Sequence, residues 1–161
     1  MIDKVIFLDV DNVLNNNYTE EKTPYMMVAT AWGDCIKRRY TGIDISLVEL
    51  INKILIETNA KLVLSSTWRY HPEMHEYMWK QLGSLIKERY IGDTPILDYS
   101  HRGKEIYVYL QENPIKKFVI IDDDISVNDY FQFDKEWIRT YAKDGITSEL
   151  AEKAIKILNE N

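Results

Sequence analysis

Apolar residues along this chain come in short unbroken runs, and each run stops abruptly at polar residues. Residues 4–8 (KVIFL) run straight into Asp9-Val10-Asp11, residues 61–64 (KLVL) into Ser65-Ser66, and residues 118–121 (FVII) into Asp122-Asp123-Asp124. A fourth run covers 137–141. Continuous apolar runs of this length, rich in β-branched and aromatic residues, predict strands buried on both faces. Between the runs the apolar period lengthens to that of a helix. Val48, Ile51 and Leu55 mark one face of a helix opening at Ser46, with Glu49 at capping-box spacing. Residues 73–89 and 103–112 read as helices, the second stopped before Pro114, and Asp93-Thr94-Pro95 reads as a turn. Thr147 is placed to cap a last helix with Leu150, Ala154 and Leu158 on its buried side.

Strands alternating with helices predict an α/β fold: a parallel sheet covered by helices on both faces, three layers in all. In such sheets ligands bind beyond the carboxyl ends of the strands. Asp9 and Asp11, Ser65 and Ser66, and the Asp122–Asp124 triplet all fall there. Residues 12–43 lack a clear period; they hold an asparagine run and then Tyr25, Trp32 and Lys37-Arg38-Arg39-Tyr40. That is long for a plain loop, so the segment is a candidate flap or small insertion within one domain spanning 1–161.

Composition narrows the class. The chain is 45% hydrophobic and 29% charged, the balance of a soluble globular protein, and no apolar run is long enough for a membrane span. One cysteine, Cys35, excludes an internal disulfide framework and fits a reducing cytoplasm. A net charge of -6 argues against a general nucleic-acid coat protein but leaves room for a local basic patch.

Two carboxylates one residue apart repel each other unless a cation sits between them. Carboxylates from two strand ends offer hard oxygens, the donor set of Mg²⁺, which would offset the repulsion and admit a phosphate dianion. A carboxylate can attack phosphorus, and a second acid two residues on can serve the leaving alkoxide and then the attacking water. Ser65, Ser66 and nearby backbone N–H groups suit phosphate oxygens. Lys104 is the candidate lysine for the phosphate and the nucleophile. Arg69, four residues after Ser65, suits either a phosphate or a structural acid.

Asp9-Val10-Asp11, Ser65, Lys104 and Asp122-Asp123, each at a strand end or helix start, resemble in order the four motifs of the haloacid dehalogenase (HAD) superfamily. FLDVDNVLN, LVLSSTWR, RGKEIYVYL and FVIIDDD, with GIT before the last helix, are similar to a narrower group: the small HAD domains associated with RNA-repair proteins. The resemblance covers nearly the whole chain. It implies the HAD core, a Rossmann-like parallel sheet, with Asp9 as nucleophile, Asp11 as general acid/base, and Ser65 and Lys104 as phosphate binders. It implies Mg²⁺ on Asp9, the Asp11 backbone carbonyl and a motif-four acid, Asp123 ahead of Asp122. One position departs: Asn12 stands where glycine is usual, and asparagine tolerates left-handed backbone angles better than most residues.

Members of the superfamily that act on small metabolites usually carry a cap domain, inserted after motif one or between motifs two and three. Neither the stretch from Asp11 to the first helix nor that from Ser65 to Lys104 holds a full one. An open site suits a bulky phosphorylated substrate, a nucleic-acid end or nucleotide, with Trp32 and Arg38 as candidate contacts. The expected activity is therefore a Mg²⁺-dependent phosphatase working through an aspartyl-phosphate. The alternative is a binding or regulatory module that kept the fold and lost the chemistry. An EF-hand is excluded because Leu14 stands where its loop needs glycine.

Overall fold

The computed structural model describes residues 1–22, 25–29, 35–39, 42–97, 101–129 and 132–160. The chain begins with β1 (Ile2–Leu8), α1 (Asn17–Lys22) and an antiparallel hairpin of β2 (Tyr25–Ala29) and β3 (Cys35–Arg39), then α2 (Ile45–Thr58). Next come β4 (Lys61–Leu64), a 3₁₀ turn at Thr67–Tyr70, α3 (Pro72–Gln81), α4 (Gly83–Arg89) and β5 (Tyr90–Asp93). After α5 (Arg102–Glu112) and β6 (Ile115–Asp122) a second 3₁₀ turn covers Ile125–Asn128, and β7 (Trp137–Arg139) precedes α6 (Ser148–Asn159).

Five strands form one sheet in the order β5-β4-β1-β6-β7, every neighbouring pair parallel. The chain builds outward from β1 to β4 and β5, then returns to the other side of β1 for β6 and β7. The direction reverses between β1 and β6, and a crevice opens at their carboxyl ends at such a switch. Period-2 alternation splits the strand residues between two cores. Ile6, Leu8, Leu62, Leu64, Val119, Ile121 and Ile138 pack with α2, α3, α4 and α6. Val5, Phe7, Val63 and Ile120 pack with Ile106 of α5, Val127 and Phe133. Both faces of the sheet are thus covered, which is why its strands read as continuous apolar runs. The α/β architecture predicted from the sequence is the one observed. Among the described residues no helix is long and apolar enough to cross a membrane.

Several boundaries differ from the sequence reading for local reasons. The cap of α2 is Asp44, whose Oδ1 accepts from Ser46 N at 2.9 Å and from Ser46 Oγ at 2.6 Å; Ser46 lies inside the helix. The helix expected over 73–89 is two helices, because Gly83 takes a φ of 76°. A fifth strand, β5, was not foreseen; it is four residues long and contains Gly92 at a φ of 149°. The third run is longer than the expected 118–121, at Ile115–Asp122. The fourth strand is shorter than expected, with Tyr141 beyond it in an isolated bridge to Gly145. Thr147 caps α6, its Oγ1 accepting from Leu150 N at 3.3 Å.

The start of α5 is held by close backbone approach. A Cβ on Gly103 would stand 2.2 Å from the Val127 carbonyl oxygen and 2.9 Å from that of Ser126. Ser126 Oγ accepts from Arg102 N at 3.0 Å. The first turn of α5 is thereby fixed against the 3₁₀ turn that follows β6. Residues 12–43 contain α1 and the β2–β3 hairpin. Arg38 belongs to β3, but its side chain, like Trp32 as a whole, lies outside the described residues.

Candidate active site

The ladder of β1 extends one residue beyond the strand, since Asp9 N donates to Ile121 O at 3.0 Å, and Ser65 N donates to Leu8 O at 2.9 Å. These bonds bring the ends of β1, β4 and β6 together at the switch point. One carboxylate oxygen from each of Asp9, Asp122 and Asp123 lies within 4.8 Å of the other two. Asp9 and Asp122 are buried; Asp123 is half-buried. Both motif-four acids therefore reach Asp9, and the geometry does not choose between them.

Burial pushes the Asp9 carboxyl up, and the charge of Asp11 adds to this, while the Arg102 guanidinium and the Ser66 hydroxyl oppose it. Burial pushes Asp122 well up too, with the charge of Asp9 adding. Burial works against the charge of Arg102, yet Asp9 and Asp122 hold its pKa above the ordinary arginine value. Arg102 Nη2 is 3.5 Å from Asp9 Oδ1, and Nε is 2.8 Å from Asp122 Oδ2. The Nε contact lacks the alignment of a hydrogen bond, so it acts as a charge contact. Arg102 is the cation that faces both buried acids. Lys104, the lysine expected at the phosphate, lies on the exposed side of α5. The helical period explains the difference: Arg102, Ile106 and Leu110 recur every four residues on the side facing the sheet, while Lys104, Tyr107 and Gln111 share the outer side.

Asn12 takes the left-handed conformation, φ 56°, as its tolerance for that region allows. Its side chain also contributes: Nδ2 donates to Asp123 Oδ2 at 2.9 Å. Its backbone N–H donates to Asn15 Oδ1 at 2.7 Å, and Asn15 Nδ2 donates to Asp11 Oδ1 at 3.0 Å. The other Asp11 oxygen, Oδ2, accepts from Trp68 Nε1 at 2.8 Å. Trp68 is buried in the larger core, so the indole fixes one end of Asp11 and buried Asn15 fixes the other. No motif in the sequence marks Trp68 or Asn15 for this role. Trp68 and Asp11 are 57 residues apart, a separation that no local pattern reports.

Ser65 is fully buried and its Oγ has no hydrogen-bond partner among the described residues; Thr94 Oγ1 and Thr140 Oγ1, at the ends of β5 and β7, are in the same condition. A buried hydroxyl without a partner costs about 1–3 kcal/mol, so such a group at a strand end suits a ligand oxygen. Ser66 differs. Its Oγ accepts from Trp68 N at 3.3 Å and caps the 3₁₀ turn, while its hydroxyl faces Asp9. Arg69 is not available to a substrate. Nη2 pairs with Glu105 Oε2 at 2.5 Å, both side chains buried, and Nε donates to Thr94 O at 3.2 Å. Nη1 donates to the carbonyls of Ser65 and Ser66. It staples the ends of β4 and β5 to α5.

Four carboxylates, Asp9, Asp11, Asp122 and Asp123, converge here with Arg102 the charged partner of two of them. The excess negative charge, hard oxygen donors and raised proton affinities of the buried acids fit a divalent cation such as Mg²⁺. A family model described as "HAD domain in Swiss Army Knife RNA repair proteins" matches residues 5–151. Among curated proteins none matches the chain.

Proposed function

Because the chain belongs to the family of HAD domains in Swiss Army Knife RNA repair proteins, we propose that it is a Mg²⁺-dependent phosphatase acting on nucleic-acid terminal phosphates or nucleotides. The observation that carries this reading is the convergence of Asp9, Asp122 and Asp123 beside Arg102 and a Ser65 hydroxyl that no described residue meets. Mg²⁺ held by Asp9, the Asp11 carbonyl and Asp123 or Asp122 would neutralise the acids and polarise the phosphate.

The chain's own groups supply the rest. An Asp9 oxygen attacks phosphorus, the bond to the leaving oxygen breaks, and Asp11 gives that oxygen a proton. Water then attacks the aspartyl-phosphate, Asp11 takes a proton from it, and the bond between phosphorus and Asp9 breaks to release phosphate. Ser65 and Arg102 hold phosphate oxygens, and Arg102 balances charge as Asp9 gains and loses the phosphoryl group. Residues 12–43 serve as a small insertion or flap beside an otherwise open site.

The test is phosphate release from p-nitrophenyl phosphate and from 3′- and 5′-phosphorylated oligonucleotides, with Mg²⁺ or with EDTA. Turnover with Mg²⁺ should fall on the order of 100-fold or more in EDTA, several kcal/mol of lost charge stabilisation. Turnover indifferent to chelation would remove the metal from the reading. A second reading, a non-catalytic module, has one observation in its favour: Arg102 already lies 2.8 Å from Asp122 Oδ2, where a cation would otherwise serve. A thermal shift with Mg²⁺ but no turnover of any substrate would favour it.

The bond from Trp68 to Asp11 gives a further expectation. Trp68→Phe removes a donor to a carboxylate, a contact worth about 1.5–3 kcal/mol, so kcat on alkyl and nucleotide phosphates should fall about tenfold or more. The p-nitrophenolate leaving group needs little protonation, so kcat on p-nitrophenyl phosphate should change much less. An equal loss on both would mean that Trp68 acts through packing alone.

A further inference from the structure

β7 is the edge strand beyond β6, and Arg139 stands in register with Asp122. Adjacent strands lie about 4.8 Å apart, so Arg139 stands immediately beside one wall of the candidate active site. Alternation places Trp137, Arg139 and Tyr141 on one face, the face on which α5 brings Arg102 to Asp122, and turns the buried Ile138 and Thr140 to the other. Trp137 packs on the smaller core, and its Nε1 donates to Asp122 O at 2.9 Å. Further along the face Arg139 is exposed, and Tyr141 is 59% exposed.

Arg139 has a neighbouring acid cluster but pairs with no described carboxylate. Its guanidinium carbon instead lies 5.3 Å from the Trp137 ring centroid and 5.2 Å from that of Tyr141. A cation held over two rings is oriented before any ligand arrives. The exposed guanidinium can meet a phosphodiester, while the exposed Tyr141 ring offers a face on which a base can stack. Aromatic rings interleaved with arginine at an open edge are the means by which single strands are held without sequence preference. On a chain of net charge -6, a local cation is what a polyanion needs beside the acids.

We propose that Trp137, Arg139 and Tyr141 form a stacking platform for a single-stranded nucleic acid, which carries the strand up to the phosphate site at Asp9. This deepens the phosphatase reading by giving a single strand a path to the site, and it rests on that reading for the strand's end point. Binding of fluorescently labelled, terminally phosphorylated single strands is measured by anisotropy in Mg²⁺ in the Asp9→Asn background, which does not consume them. Adding Tyr141→Ala or Arg139→Ala should weaken binding about tenfold, and Tyr141→Phe should restore it, as base stacking requires. Arg139→Ala should also flatten the dependence of log Kd on log salt by about 0.7, one phosphate contact. With Asp9 intact, both alanine variants should turn over p-nitrophenyl phosphate at the unaltered rate. Unchanged strand affinity in both alanine variants would overturn the platform. So would an equal loss on p-nitrophenyl phosphate, or a phosphopeptide bound as tightly and with the same sensitivity. Failure of the phosphatase reading shows separately, as absence of any turnover by the unaltered protein, and leaves the binding result intact.

Discussion

Asp9→Asn should give a folded protein that releases no phosphate. The amide keeps the shape of the side chain and removes the nucleophilic oxygen anion. Loss of a covalent nucleophile lowers kcat on the order of 10⁴- to 10⁶-fold. Stability should not fall with it. Asp9 is buried, and its ionisation is opposed first by that burial and then by Asp11. A neutral residue there relieves both, while Arg102 keeps its contact with Asp122. The melting temperature should therefore hold or rise. Acid quenching after a brief exposure to radiolabelled substrate should trap label on the unaltered protein and none on the variant. Residual turnover within tenfold of the unaltered protein would place the nucleophile elsewhere.

The second large effect separates two basic residues two positions apart. Arg102→Ala leaves Asp9 and Asp122 buried without their cation, and breaking a buried pair in this way costs about 3–5 kcal/mol. For a chain of this size that is a melting point lower by roughly 6–20 °C. Turnover should be lost as well, since Asp9 and the phosphate lose the same positive charge. Lys104→Ala alters an exposed side chain and should stay within about 0.5 kcal/mol, with kcat unchanged. Calorimetry and steady-state kinetics on the pair decide the matter. Comparable losses in both, or a silent Arg102→Ala, would mean that the cation of the site has been misassigned.

The sheet was legible because its strands are covered on both sides, which writes an apolar run into the sequence and ends it where the chain meets the crevice. Asp9, Ser65 and Asp122 stand at those endings, so their gathering could be read before any coordinates. β5 was not legible: it is a short edge strand interrupted by a glycine, and such a segment has no run to show. The arginine beside the acids is hidden for a different reason. The four-residue period of α5 sets Arg102, and not Lys104, on the buried side, but the residue type that the resemblance implies at this helix start is a lysine. The contacts that orient Asp11 and Asp123 run through Trp68, Asn15 and Asn12. They depend on the tight left-handed turn after Asp11 and on a long-range packing contact, and neither leaves a periodic trace. Of the aromatic and basic residues expected to meet substrate, Trp32 and the side chain of Arg38 fall outside what the structure describes; Trp137, Arg139 and Tyr141 supply a comparable set toward the other end of the chain.

The missing Cβ at position 103 has a mechanical consequence. With a backbone carbonyl where any side chain would need room, the first turn of α5 and the turn after β6 are welded into one corner. The Arg102 guanidinium and Asp122, at the end of β6, both adjoin that corner. Backbone packing, and not side-chain contact alone, therefore sets the spacing between this arginine and the acid it faces.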